Sequence, residues 1–192
     1  MDCDMRWIAL LGALFLLGNI SILDASAETE IDSQVSSSFA FSENTAAGQV
    51  GNRTEVNFYA AEGTTWFVGP SVGQPPSLDA EYFLRAYKNG DNRTHFQLYV
   101  ILKSRHHWWF FDRALDANGK KLQVKPIGVD WESGWKTEHL LIQLSRPYLN
   151  RLAAKLGLSL KVRGKQGEIL LNVPSFYVKG FLRKVDFWRR AE

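Results

Sequence analysis

Residues 93–122, RTHFQLYVILKSRHHWWFFDRALDANGKKL, constrain the fold more than any other stretch. Phe96, Leu98, Val100 and Leu102 alternate with His95, Gln97, Tyr99 and Ile101. A period of two is the mark of a β-strand with one face in a core. The near-continuous apolar run 99–102 implies burial on both faces toward the end of that strand. Six consecutive rings follow, His106 to Phe111, and then the turn Asp116-Ala117-Asn118-Gly119. Asn and Gly tolerate the positive φ of a tight hairpin, so 107–114 reads as one strand and 121–129 as its return. Pro126 breaks that return strand or places it at an edge, because it has no N–H to give to a ladder.

The rest of the chain extends the same pattern. Strands are predicted over 55–61, 64–68, 80–88, 134–145, 158–162 and 168–173, separated by Gly, Asn and Asp clusters. Residues 69–79 read as a loop, since Pro75 and Pro76 remove two ladder donors. Two helices are predicted. Residues 145–156 have Ser145 as N-cap, Pro147 in the first turn, Leu149, Leu152 and Leu156 as a stripe, and Gly157 as a stop. Residues 174–186 follow Pro174 and carry Val178, Phe181, Leu182 and Val185 on one face. The expected fold class is therefore α+β, mainly β: an antiparallel, sandwich-like sheet with two helices. Residues 28–51, rich in Ser, Thr, Asn, Ala and Gly, read as a flexible arm, and 52–192 as a single β-rich domain.

The first residues point to export. Residues 7–23 are apolar apart from Gly, Asn19 and Ser21, and Ala25-Ser26-Ala27 offers small residues where a signal peptidase needs them. A signal peptide over 1–27 is expected, with cleavage before Glu28. Asp2 and Asp4 are unusual in a signal n-region, whereas a start at Met5 leaves Arg6 as the expected positive charge. An uncleaved N-terminal membrane anchor is the competing reading. The leader removes Arg6, Asp2, Asp4 and Asp24, so the net charge rises from +3 to +5. That is mildly basic, which favours anionic surfaces weakly and is far below the charge density of a nucleic-acid binder. The single cysteine, Cys3, lies in the leader, so the exported chain has no disulfide, no thiol nucleophile and no thiolate metal site.

Candidate site residues cluster around the rings. His106 and His107, beside Trp108 and Trp109, are residue types that ligate metals or act as general bases. On a strand, however, neighbours point to opposite faces and cannot easily grip one ion. For the same reason Trp108, Trp109, Phe110 and Phe111 would place two rings on each face. Either a helix covers the second face, or the rings form a platform for sugar or peptide. Trp131 and Trp135, near Asp130, Glu132 and Glu138, are a second place where stacking rings meet carboxylates. The basic C-terminus, from Lys179 to Arg190 with Phe187 and Trp188, suits an anionic lipid surface or simply a solvated helix face. No cofactor motif, GxSxG, HExxH or P-loop is present.

Asn118-Gly-Lys-Lys-Leu122, the helix start Ser145-Arg-Pro-Tyr-Leu149, the hairpin Gly164-Lys-Gln-Gly-Glu168 and the segment from Val173-Pro174 to Gly180-Phe-Leu182 carry a resemblance. Over 80–190 the chain resembles the C-terminal halves of uncharacterised exported or lipoprotein-like proteins of Gram-negative bacteria. It departs from the lipoprotein members in having Glu28 rather than Cys at the expected cleavage site. The resemblance implies soluble export and brings no activity, cofactor or catalytic residue. The functional expectation is a periplasmic, non-enzymatic binding or envelope-associated domain, whose partner is an envelope protein, a glycan or an anionic lipid surface. The alternative is a small hydrolase or metal-dependent enzyme. That reading requires at least two of His95, His106, His107, His139, Asp112 and Asp130 within hydrogen-bond reach in one cleft.

Overall fold

A computed structural model describes residues 43–74, 79–89, 93–155 and 157–191, all within the compact unit Phe39–Glu192. The expected signal peptide and residues 28–42 of the expected arm lie outside the described residues.

Eleven strands are described: β1 (Glu55–Tyr59), β2 (Thr64–Val68), β3 (Val72–Gln74), β4 (Asp79–Lys88), β5 (Thr94–Ser104), β6 (Phe111–Asp116), β7 (Lys121–Leu122), β8 (Val124–Glu132), β9 (Trp135–Leu144), β10 (Leu158–Gly164) and β11 (Gly167–Val173). Three helices accompany them: α1 (43–53), α2 (Arg146–Ala153) and α3 (Ser175–Ala191). The strands form two antiparallel sheets. One has the order β1-β2-β4-β5-β9-β8 with β3 beside β4, and the other β11-β10-β6-β7. The chain is mainly β with helices, as its alternation requires.

Period two decides what lies between the layers. Phe96, Leu98, Val100 and Leu102 of β5 enter the core with Leu140, Ile142 and Leu144 of β9. Facing them are Leu158, Leu160, Val162, Ile169, Leu171 and Val173 of the smaller sheet, and Tyr177, Val178 and Phe181 of α3. Tyr82 Oη donates to the Asn172 carbonyl at 2.9 Å across the layers. Tyr177 Oη donates to the Pro70 carbonyl at 2.7 Å and accepts from Leu84 N at 3.1 Å, which pins α3 to β4. Burial raises the pKa of both phenols, so they remain donors at any physiological pH.

The helices differ from expectation in detail. Ser145 caps α2 by accepting from Tyr148 N at 3.3 Å, as its sequence predicts, but the helix ends at Ala153 rather than at 156. The last helix runs to Ala191, beyond the expected 186. Part of the expected arm is a helix: α1 covers 43–53 and packs on α3. Gly180 permits that approach, because a Cβ there would lie 2.2 Å from the Ala47 carbonyl oxygen. Glu43 ties the helix ends together, accepting from Ser175 Oγ and from Lys179 Nζ at 3.1 Å. This small-residue helix has a weak apolar period of its own, and tertiary packing stabilises it.

The largest correction concerns 107–114. Residues 107–110 are not strand; they link β5 of the large sheet to β6 of the small one. Their amides are taken by side chains instead of by a neighbouring strand. Ser104 Oγ accepts from His106 N and His107 N at 3.2 and 3.4 Å. Glu138, only 5% exposed, accepts from Trp109 N at 2.5 Å and from Phe110 N and Phe111 N at 3.1 Å. Three consecutive N–H groups on one carboxylate curl the backbone, and Phe110 adopts φ +54°.

Candidate functional site

The loop geometry removes the strand alternation expected of these rings. His107, Trp109 and Phe111 fall on one side. His107 lies 4.4 Å from Trp109, which stacks on Phe111 at 5.5 Å and 15°. The β10–β11 turn covers Trp109, and a Cβ on Gly167 would lie 2.7 Å from its ring. The hairpin therefore takes the covering role expected of a helix. Phe110 points outward under Lys165. Trp108 is half-buried, and His106 is exposed with its carbonyl accepting from Lys136 Nζ at 2.9 Å. Trp135 lies under the Arg105 guanidinium at 4.4 Å, while Trp131 is 77% exposed. Of these six expected site residues, His107 and Trp109 are in ring contact, and no ring contact joins Trp108, Trp131 or Trp135 to them among the described residues. The two histidines take different environments, and His107 Nε2 is buried without a partner among the described residues.

A different set does converge. The odd-numbered residues of β5 and β9 and their neighbours form the second face of the large sheet, and their rings stand outside the core. Register sets the rows: Trp66 pairs with Tyr87 and Tyr87 with His95, then Arg85 with Gln97, Phe83 with Tyr99 and Ile101 with His139. Rings meet along and across these rows. Trp66 and Tyr87 are 4.8 Å apart, Tyr87 and His95 stack at 4.8 Å, and Phe83 and Tyr99 stack at 4.9 Å.

One diagonal runs through five strands. The Arg85 guanidinium carbon lies 5.1 Å from the Trp66 ring centre and 5.0 Å from that of Tyr99. Arg85 Nε donates to Gln97 Oε1 at 2.7 Å, and Gln97 is only 4% exposed. Burial lowers the pKa of Arg85, though its guanidinium remains charged. Tyr99 Oη is 3.0 Å from His139 Nδ1, and His139 Nε2 is 2.9 Å from Asp130 Oδ2. With a neutral imidazole, Asp130 accepts from Nε2–H and the Tyr99 hydroxyl donates to Nδ1, so the carboxylate fixes the tautomer.

No family model, curated protein or solved structure matches this chain. Its chemistry is therefore read from the site alone.

His139 and Asp130 meet the distance required of a catalytic pair, but not the cleft. Asp130 is 72% exposed beside a His139 side chain that is 18% exposed, on an open sheet. A hollow of about 740 Å³ lies elsewhere, between Asp116, Tyr148, Arg151 and Lys155. His95 stacks on Tyr87, and Asp112 pairs with Arg113. Among the described residues no three His, Cys, Asp or Glu side chains gather as a metal site would need. Among the described residues, too, no helix is long and apolar enough to cross a membrane.

The sequence carries part of the signal for this face. Phe83, Arg85 and Tyr87 alternate, and so do His95, Gln97 and Tyr99. What the sequence lacks is the pairing that sets these two triplets side by side and adds His139.

Proposed function

We propose that the chain is exported and acts in the bacterial cell envelope as a non-enzymatic binding domain. In this reading the ring-lined face of the large sheet takes a glycan. The observation that carries it is the row of rings and polar groups outside the core, from Trp66 through Arg85 and Tyr99 to His139 and Asp130. Flat rings stack on the apolar faces of sugars, while the Asp130 carboxylate and the Tyr99 hydroxyl oxygen can accept hydrogen bonds from sugar hydroxyls. A peptide would more naturally add to a sheet edge, because the backbone groups in the middle of this face are spent on strand pairing. Export is supported by the apolar run 7–23, the Ala25-Ser26-Ala27 site and the absence of cysteine after Cys3.

The test is an oligosaccharide array probed with the purified chain, followed by titration of any hit against the double variant Trp66→Ala, Tyr99→Ala. Binding should fall at least tenfold with the fold intact by circular dichroism. Undiminished binding moves the site elsewhere. Mass spectrometry of protein from the periplasm should find Glu28 first; an intact leader would favour the anchored form.

The Tyr99–His139–Asp130 chain favours one alternative, a hydrolase with His139 as general base. Product release from a bound glycan, abolished in His139→Ala, would establish that reading in place of simple binding.

A further inference from the structure

Arg85 sits in the middle of the large sheet, with β2 on one side of its strand and β5 on the other. Two rings flank its guanidinium, and Gln97 fixes its Nε. Neither terminal nitrogen has an acceptor among the described residues. Of the acidic groups on this face, Glu81 is committed to Lys103 at 3.5 Å and Asp130 to His139 at 2.9 Å, while Glu132 stands on the far strand β8 and the exposed Glu55 on β1, separated from Arg85 by Val68 of β2. The result is a half-buried cation with no carboxylate in ion-pair contact among the described residues, held by Gln97 and the two rings. Holding a charge partly out of water without a partner is costly, and ring faces offset that cost only in part. A planar guanidinium with two unused terminal nitrogens matches a carboxylate, whose two oxygens accept in parallel.

Resting on the glycan reading above, we infer that the ligand of this face is an acidic oligosaccharide, with a sugar carboxylate received by the Arg85 terminal nitrogens between Trp66 and Tyr99. The neighbouring rings then stack on the flanking sugars, and the Asp130 carboxylate lies at the far end of the row to accept from hydroxyls. The charge of the ligand supplies what the sheet lacks. A neutral glycan of the same shape would leave the guanidinium uncompensated beneath it.

The experiment compares carboxylate-bearing oligosaccharides, including oligogalacturonate, with their methyl esters, using the exported chain and titration calorimetry. The ester keeps the ring faces and hydroxyls and removes only the charge. The acid should bind at least tenfold more tightly than its ester, and added salt should narrow the gap. Arg85→Gln should bring the acid down to the affinity of the ester. Arg85→Lys should recover only part of the loss, because an ammonium is a point charge without the fork. Equal affinity of acid and ester for the unaltered chain overturns this inference while the ring-row reading stands. Failure of both to bind overturns both. The acid–ester comparison needs no variant, so it decides the matter even if substitution at Arg85 disturbs folding.

Discussion

The two faces of the large sheet are made by the same strands, one residue apart, and are held by different forces. On β5 the even residues Phe96, Leu98, Val100 and Leu102 vanish into the core, where burial of apolar area dominates. The odd residues His95, Gln97 and Tyr99 are tied sideways to neighbours on adjacent strands by stacking, cation–π contact and hydrogen bonds. The first face is ordered because it is covered. The second is ordered because its side chains grip one another. That lateral order pre-organises a surface, which lowers the entropy lost when a ligand binds.

Substitutions on the two faces should separate these forces. Leu98 is fully buried, and Leu98→Ala should cost about 2–5 kcal/mol through lost transfer energy and the cavity left behind. A loss under about 1 kcal/mol in urea denaturation would mean that the inner face is not the main source of stability. A smaller effect is expected where α1 meets α3 at the margin of the core. Hydrogen bonds from Ser175 and Lys179 hold the Glu43 carboxyl below its ordinary value of 4.5. A depressed folded-state pKa means stability that is present above the unfolded value and is lost as pH falls through the lower folded one. Glu43→Gln should therefore cost up to about 1 kcal/mol at neutral pH. Thermal melts of the two proteins should converge as the pH drops below 4.5; a constant gap across that range would rule out the ionic contribution. The smallest change is Tyr99→Phe on the outer face. It removes only the hydroxyl bonded to His139 and should shift stability by no more than about 0.5 kcal/mol. A loss comparable to that of Leu98→Ala would erase the distinction between the faces.

Local pattern made most of the strands legible. The alternation in β5, the Asn118-Gly119 turn and the Ser145-Arg146-Pro147 helix start each depend on neighbours in sequence. In the turn, Asp116 Oδ1 accepts from Asn118 N and Lys120 N at 2.9 Å, and Gly119 takes φ +75°. Where a distant residue decides, the sequence was misleading. Residues 107–110 have strand composition, but Glu138 takes three amides there and turns them into a loop. The row from Trp66 to Asp130 was hidden for the same reason, since it draws one residue from each of five strands. Contiguous rings at 108–111 drew attention because adjacency is visible in a sequence and strand pairing is not.

The pairing of β5 with β9 joins two hairpins, β4–β5 and β8–β9, across a segment that builds β6 and β7 of the other sheet. Closing a long loop costs more chain entropy than closing a hairpin, so this seam is the expensive joint of the sheet. Tyr99 stands on one side of it and His139 on the other, 3.0 Å apart. A chain with that seam open has no complete row, whatever its hairpins retain. By mass action, a ligand that binds only the closed form and spans the row acts as a clamp on the seam. Occupancy of the outer face and closure of the inner core are thus two readings of one equilibrium.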